Sequence, residues 1–109
     1  MGNEVKTEIR DDKKTDNHVV FVGPKPFMNY VTGVVMQFTT QGASDVVVKA
    51  RGRFISRAVD VVEVARNRFL EGQIDLKSQE AIKIGSEEFQ NKEGKQIRVS
   101  FVEIALVKK

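Results

Sequence analysis

The chain has 109 residues, of which 40% are hydrophobic and 30% charged, and its formal net charge at pH 7 is +3. This length accommodates one domain, the composition is typical of a soluble globular protein, and no apolar run approaches the roughly 18 to 20 residues that would span a bilayer. The chain contains no cysteine, which excludes disulfides, thiolate nucleophiles and cysteine metal sites.

Residues 1–17 are polar and charged and show no apolar period, which predicts a disordered N-terminal tail. They lack the apolar centre of an export signal, so we expect a cytoplasmic protein. Folded structure is expected over residues 18–109. It begins with "HVVFVG", a short β-branched run that ends in glycine and predicts a buried strand.

The next segment, "PKPFMNYVTGVVMQFTTQG", has the apolar spacing of an amphipathic helix. Pro26 suits its first turn and Gly42 its left-handed exit. The predicted core stripe consists of Phe27, Val31, Val34, Val35 and Phe38.

"SDVVVKARG" predicts the second strand, and "RFISRAVDVVEVARNRFLEG" predicts a second helix that Gly72 closes. Its predicted core stripe consists of Ile55, Ala58, Val59, Val62, Ala65 and Phe69. Val61 and Val64 lie off this stripe. This apolar excess indicates burial against a second copy of the chain, or alternatively a deeper monomer core.

Two long strand candidates, "QIDLKSQEAIKIG" and "KQIRVSFVEIALVKK", are joined through the turn-like "QNKEG" and predict a hairpin. The apolar face of the last strand switches near Ser100, which indicates either a bulge or the point where the strand leaves the core. The predicted order is β-α-β-α-β-β, a two-layer α/β domain of the α+β sandwich type.

The cationic excess is concentrated in residues 49–68, which hold six basic residues against two acidic ones. Four of the six, Lys49, Arg51, Arg53 and Arg57, fall within nine residues. If the strand continues to Arg53, the first three point to one face with a repeat of about 6.6 Å, close to two phosphate steps of roughly 3.4 Å. We interpret them as a phosphate-binding row at a strand-to-helix corner; the alternative is an ordinary polar loop.

Two further segments carry candidate cations. Lys25 lies between two prolines in the first strand-to-helix loop, which is expected to open on the same edge as the loop after Arg51. Lys92, Lys95 and Arg98 lie on the hairpin "EEFQNKEGKQIR", whose charge is balanced by glutamates. This hairpin is either an arm able to enter a DNA groove or an exposed loop.

The sequence offers little for catalysis. The one histidine, His18, borders the tail, and no histidine and cysteine constellation is possible. Asp60 and Glu63 resemble ordinary helical ion pairs beside Arg57 and Arg66. We therefore predict no enzyme activity, no cofactor and no metal; the competing hypothesis, an enzyme acting on a phosphorylated small molecule, would require turnover.

Three separated segments, "VVFVGPKPFMNY", "VVVKARGRFISRAVDVVEVARNRF" and "IRVSFVEIAL", closely resemble the Alba family of archaeal chromatin proteins over about residues 18–109. The resemblance implies a fold similar to the C-terminal domain of translation initiation factor three and a homodimer packed through the second helix and neighbouring strands. It also implies binding to double-stranded DNA, and to RNA, with little sequence preference, the hairpins reaching as arms toward the minor groove.

Residues at matching positions acquire expected roles from this resemblance. Backbone contact is implied for Lys25, Lys49, Arg51 and Arg53, with Arg98 a further candidate in the arm. Asn67, Arg68 and Phe69 match a surface by which dimers meet side by side on DNA. Many members carry "GKKP" in the first loop, and acetylation of the first lysine is linked to weaker binding; here Pro24 occupies that place, so the switch is not carried over.

The sequence thus predicts a dimeric, largely sequence-independent duplex binder that coats, bridges or compacts DNA, associated with the chromosome in an archaeal cytoplasm. The alternative is an RNA-binding protein or ribonucleoprotein subunit. That alternative is less favoured because Tyr30 and most of the phenylalanines fall on predicted core stripes, leaving few aromatic rings for stacking on bases.

Overall fold

The computed structural model describes residues 18–109, and the predicted tail over residues 1–17 lies outside the described part of the chain. The elements in chain order are β1 (Val19–Phe21), α1 (Phe27–Thr39), β2 (Asp45–Arg51), α2 (Ile55–Val64), β3 (Ile74–Leu76), β4 (Ile82–Gln90) and β5 (Gln96–Lys108). A 3-10 turn (Gly52–Phe54) precedes α2, and a π-helical turn (Ala65–Phe69) follows it. Neither α1 nor α2 has the length and apolar character of a membrane span.

The five strands form one mixed sheet in the order β1-β2-β5-β3, with β4 also paired to β5. β1 runs parallel to β2, and every other pair is antiparallel. β5 is the organising strand: β2 lies along one of its edges, while β3 and β4 lie one after the other along the opposite edge. The two-layer α/β architecture is therefore confirmed.

The observed sheet has one strand more than the predicted order. Residues 73–85, predicted as one strand candidate, form β3 and the start of β4 with a turn between them. In this turn the amide of Glu80 donates to Ser78 Oγ at 3.1 Å, and the amide of Ala81 donates to the Ser78 carbonyl at 3.1 Å. Local side-chain bonding of this kind competes with continued strand pairing.

Both helices contact β2, and the hydrophobic core lies between the helices and one face of the sheet. The α1 stripe is confirmed, since Val31, Val34 and Phe38 are buried and Phe27 and Val35 pack against them. The sheet contributes residues of one parity from its two central strands. These are Val46, Val48 and Ala50 of β2 and, directly opposite them, Leu106, Ile104 and Val102 of β5.

The core stripe of α2 is rotated relative to its prediction. Ala58, Val62 and Ala65 are buried as expected, but Val61 is also fully buried while Val59 is 44% exposed. The buried set therefore has offsets of 0, 3, 4 and 7, a regular helical stripe. Val59 and Val61 border the same apolar stripe on opposite sides, so the sequence is compatible with either phase.

The first strand also differs from its prediction. Only Val22 of the expected buried run is buried, and Phe21 is 61% exposed. The reason lies in the topology: β1 is an edge strand whose Phe21 pairs with Lys49 on the face opposite the helices. No described helix packs on that face, which we call the open face.

β5 crosses from the core into the hairpin without a bulge. Its register with β4 is continuous from Ile82↔Ile104 to Gln90↔Gln96, and its register with β2 ends at Arg51↔Phe101. Of the two explanations for the change of apolar face near Ser100, the second is therefore correct, because the strand leaves the core there. Beyond that point β4 and β5 form a two-stranded arm.

Candidate nucleic-acid interface

The first loop places Lys25 at the carboxyl end of β1. Two prolines fix the loop, and α1 begins directly after Pro26 with no acidic residue in its first turn. The Lys25 amide donates to Tyr30 Oη at 3.0 Å, which ties the loop to α1. The Lys25 side chain is exposed and forms no ion pair within residues 18–109. It is thus an available cation beside a helix N-terminus, where anions are favoured.

The second loop turns sharply after Arg51. β2 ends at that residue, and Gly52 takes a φ of 55°, a left-handed value that glycine adopts readily. The prediction that three cations form a row along one strand face is therefore wrong. Lys49 and Arg51 share the open face, but Arg53 lies on the 3-10 turn. The Arg53 guanidinium is 4.8 Å from the centroid of the Phe54 ring.

The two loops meet at one edge of the sheet, as predicted. β1 and β2 are parallel neighbours, so both loops leave at the carboxyl ends of their strands. Arg57 joins them, since its Nη1 donates to the Gly23 carbonyl oxygen at 2.6 Å and its guanidinium carbon lies 5.8 Å from the centroid of the Tyr30 ring. Arg57 is half-buried, and it braces the first loop.

Carboxylates accompany the cations of the open face. Lys49 Nζ lies 3.6 Å from Glu103 Oε2, and Arg51 Nε lies 2.7 Å from Glu87 Oε1. All four side chains are partly exposed, so these pairs are solvent-screened and contribute little to stability. They do neutralise two of the predicted phosphate ligands. The cations at this edge without a carboxylate partner in the described chain are Lys25, Arg53 and Arg57, and of these Arg57 donates to the Gly23 carbonyl.

The arm carries three further predicted ligands. Lys92 and Lys95 are exposed at its tip, where Asn91 Oδ1 accepts hydrogen bonds of 2.9 Å from the amides of Glu93 and Lys95. Arg98 Nη2 donates to Glu88 Oε2 across the arm at 2.6 Å. The tip is thus an ordered turn with two cations that form no ion pair within residues 18–109.

The predicted dimer contacts on α2 require a correction. Val61 has no exposed surface because it packs in the hydrophobic core of the chain, so its side chain is not available to a second copy. Val64 is half-buried against the same core. The apolar surface comes instead from Val59, together with Ile82 and Ile84 of β4, which are 55% and 77% exposed.

Ile55 and Ile84 line a common open groove with Gly85, Ser86, Ser100 and Phe101. Val59 follows Ile55 by one helical turn, and Ile82 shares a face of β4 with Ile84. One apolar surface therefore extends from α2 to β4. Its strand residues were not predicted from the sequence, although Ile82 and Ile84, two residues apart after the turn, have the spacing of one strand face.

Asn67, Arg68 and Phe69 lie on the π-helical turn that follows α2, and all three are exposed. Phe69, also predicted on the core stripe, is 49% exposed. Arg66 anchors the turn because it contacts both Glu63 Oε2 and Asp75 Oδ1 at 2.7 Å. The hydrogen bond to Glu63 raises the pKa of Arg66, and the Leu76 amide, with Arg66, lowers the pKa of Asp75.

The described chain holds no cluster of three or more residues suited to a metal ion. The residues described above form a cationic loop edge, a two-stranded arm and an apolar face; a cationic edge of this kind is suited to an extended anion.

Comparison with known proteins assigns the chain to a family. The family model for Alba matches residues 18–81. A protein named DNA/RNA-binding protein Alba from Nanoarchaeum equitans is 58% identical over 91 residues, which cover 83% of this chain and 97% of the relative. Another of that name from Methanococcus maripaludis is 46% identical over 92 residues, covering 84% and 99%. The chain belongs to the Alba family.

Solved structures agree with this assignment. The structure of Alba from Thermoplasma volcanium superposes with a TM-score of 0.72 at 40% identity, covering 82% of this chain and 98% of that one. ALBA1 from Trypanosoma brucei has a TM-score of 0.59 at 24% identity, with 87% and 72% covered, and shares the fold. The relatives carry names of nucleic-acid-binding proteins and not of enzymes.

Proposed function

We propose that the chain binds double-stranded DNA, and RNA, with little sequence preference, and that it coats, bridges or compacts DNA on the chromosome in the cytoplasm, without catalysis. The observation that carries this proposal is the meeting of the two strand-to-helix loops, which brings Lys25 and Arg53 to one sheet edge. The names of the relatives, DNA/RNA-binding protein Alba, support the same class of partner.

The mechanism is exchange of counterions. Cations that neutralise phosphates release the ions condensed on the duplex, and such contacts carry no sequence information. Lys25 and Arg53 supply this attraction directly, because no described carboxylate pairs with them. Lys49 and Arg51 contribute when phosphate displaces Glu103 and Glu87. The arm adds Lys92, Lys95 and Arg98. A two-stranded ribbon of this kind fits the width of a major groove. The resemblance to the family implies instead that the arm reaches toward the minor groove.

The acting unit is a homodimer that packs through α2 and β4. An apolar surface that includes Ile84 at 77% exposure is costly in water, and a second copy would cover it. Dimerisation would also place two loop edges and two arms on one particle. We expect Ile84→Glu to give monomers by light scattering, whereas Met36→Glu, at an exposed position on α1, leaves the mass of the dimer unchanged; a dimeric Ile84→Glu variant would contradict this arrangement.

Dimers associate side by side on DNA through Asn67, Arg68 and Phe69. Phe69 supports this because it is a large apolar side chain that is 49% exposed on the turn that Arg66 anchors. We expect Phe69→Ala to reduce cooperative coating of long duplexes more than binding of one dimer to a short duplex. Equal loss on both substrates would contradict the role.

A salt titration tests the proposed function. Binding to duplex DNA, duplex RNA and single strands is measured between low and moderate salt for the parent, Arg51→Ala plus Arg53→Ala, and Lys25→Ala plus Arg53→Ala. Each lost phosphate contact should lower the slope of log K against log salt by about 0.9 on duplex DNA. Lys25→Ala plus Arg53→Ala should lose more affinity than Arg51→Ala plus Arg53→Ala, because Arg51 is paired with Glu87. Unchanged affinity in both variants would remove the assigned site.

One observation favours the second candidate, an RNA-binding protein or ribonucleoprotein subunit. Phe21, Phe69 and Phe89 are 61%, 49% and 41% exposed, so the chain has more surface aromatic rings than its sequence predicts. Exposed rings are what single-strand binders use to stack bases. Preference for single-stranded RNA over duplexes at matched salt would favour this candidate.

A further inference from the structure

The open face carries a small cavity that the cationic row does not explain. It encloses about 70 Å³, and its walls include Phe21, Lys49, Arg51, Glu87, Phe101 and Glu103. Phe21 is the most exposed aromatic ring of the described chain, and Lys49 Nζ lies 5.6 Å from its centroid. An aromatic platform is thus combined with charged groups of both signs.

The balance of charge argues against a phosphate as the occupant of this cavity. The two cations are each matched by a carboxylate, at 3.6 Å for Lys49 and Glu103 and at 2.7 Å for Arg51 and Glu87. A phosphate that enters the cavity must first displace these carboxylates, whereas an uncharged group can enter while both ion pairs stay in place. A nucleobase has no net charge, presents a flat π surface and carries both donors and acceptors along its edge, so it fits a neutral, polar-walled aromatic site.

One carboxylate oxygen in the cavity wall accepts no hydrogen bond within the described chain. This oxygen, Glu87 Oε1, is buried and has no hydrogen-bond partner there, although it lies 2.7 Å from Arg51 Nε as an ion pair. A buried acceptor without a donor is costly, and a carboxylate can only accept. An amino group of a base or a ribose 2′-hydroxyl would supply the missing donor.

We propose that the open face binds an unpaired base of a single-stranded RNA segment, stacked on Phe21. Glu87 and Glu103 accept hydrogen bonds from the base edge or the 2′-hydroxyl, which DNA lacks. This inference rests on the proposed function, because Phe21 and Arg51 lie one or two residues before the loops that hold the duplex. A strand that leaves a duplex held by these loops would start close to the cavity.

The test compares an RNA duplex with blunt ends and the same duplex with six-nucleotide single-stranded tails, titrated with the full chain at constant salt. Stacking on one aromatic ring corresponds to about a tenfold gain in affinity or more, so the parent should bind the tailed duplex about tenfold more tightly. Phe21→Ala should lose this gain and bind the blunt duplex within twofold of the parent. Phe21→Tyr should retain the gain.

Met36→Ala is the matched control, since it also truncates an exposed apolar side chain, 45% exposed on α1; it should retain the gain. Absence of any gain in the parent, or an undiminished gain in Phe21→Ala, would overturn the base site. An equal gain from DNA tails would overturn the assignment to RNA. Failure of the parent to bind the blunt duplex would instead contradict the proposed function, so the two failures are distinguishable.

Discussion

Arg57 Nη1 donates a hydrogen bond of 2.6 Å to the carbonyl oxygen of Gly23, which joins α2 to the loop after β1. The same guanidinium lies 5.8 Å from the Tyr30 ring, whose hydroxyl accepts from the Lys25 amide at 3.0 Å. Arg57 was predicted as a phosphate ligand. In the structure it holds the position of Lys25.

We expect Arg57→Lys to weaken duplex binding by about fivefold, the effect of losing one hydrogen bond of about 1 kcal/mol. Lysine keeps the charge, so the slope of affinity against salt should stay near that of the parent. It lacks the planar donor that braces the loop, so hydrogen exchange of the Lys25 amide should accelerate. Lys77→Arg, the reverse exchange at an exposed position beside Asp45 at the opposite end of β2, is the control and should change neither. Parent-like affinity and exchange in Arg57→Lys would show that charge alone matters there.

Removing a carboxylate from the open face should strengthen binding. Glu103→Gln leaves Lys49 without its partner at 3.6 Å, so this cation becomes available to phosphate. We expect duplex affinity to rise about threefold at low salt, consistent with a partly exposed pair of less than 1 kcal/mol. Glu71→Gln removes the same charge elsewhere on the surface. If both variants gain equally, net charge and not the pairing is responsible.

Gly85 and Gly33 provide a matched pair of glycine substitutions. A Cβ at Gly85 would lie 2.7 Å from Cζ of Phe101, whereas a Cβ at Gly33, inside α1, meets nothing within 4 Å. We expect Gly85→Ala to destabilise the fold by about 1–3 kcal/mol through overpacking. Gly33→Ala should stabilise it by about 0.5–1 kcal/mol through helix propensity. Urea denaturation measures both; a stable Gly85→Ala variant would mean that the Phe101 ring moves freely.

Acid should weaken the anchor of the π-helical turn. The Leu76 amide and Arg66 lower the pKa of Asp75 in the folded state below its ordinary value of about 3.9. A lowered folded-state pKa adds stability above the unfolded value, and this stability is lost as the pH falls through the folded value. We therefore expect Asp75→Asn to have a lower Tm than the parent at pH 7, with the difference shrinking below pH 4 in a thermal melt.

Asp45→Asn is the control for that melt, because the Asp45 carboxylate lies 3.8 Å from Lys77 without a hydrogen bond. It should change the Tm less at pH 7. A difference between Asp75→Asn and the parent that persists unchanged at pH 3 would contradict the assigned role of Asp75.

Much of the fold could be predicted from local patterns. The α1 stripe from Phe27 to Phe38 has one clear phase, so its helix and its buried face were both predictable. α2 is different, since Val59 and Val61 are equally apolar and only packing against α1 and the sheet decides which is buried. Periodicity alone cannot choose between two valines that border the same apolar stripe on opposite sides.

The site was predictable in its cations but not in their partners. Lys25, Arg51 and Arg53 are conspicuous in the sequence, yet the pairing of Lys49 with Glu103 depends on the register between β2 and β5, more than fifty residues apart. The same holds for Phe21, which is exposed because β1 lies at the sheet edge. Long-range register is set by the whole fold and leaves little trace in any short stretch.

The unbroken ladder of β5 fixes how the arm can vary in length. Because side chains alternate between the two faces, inserting a single residue in each strand would turn Arg98 and its neighbours to the opposite side. Inserting two in each strand preserves every orientation and extends the reach by about 6.8 Å. The length of the arm can therefore change only in steps of two residues per strand if its side chains are to keep their orientation. These steps are counted from the last contact between β2 and β5, Arg51 opposite Phe101.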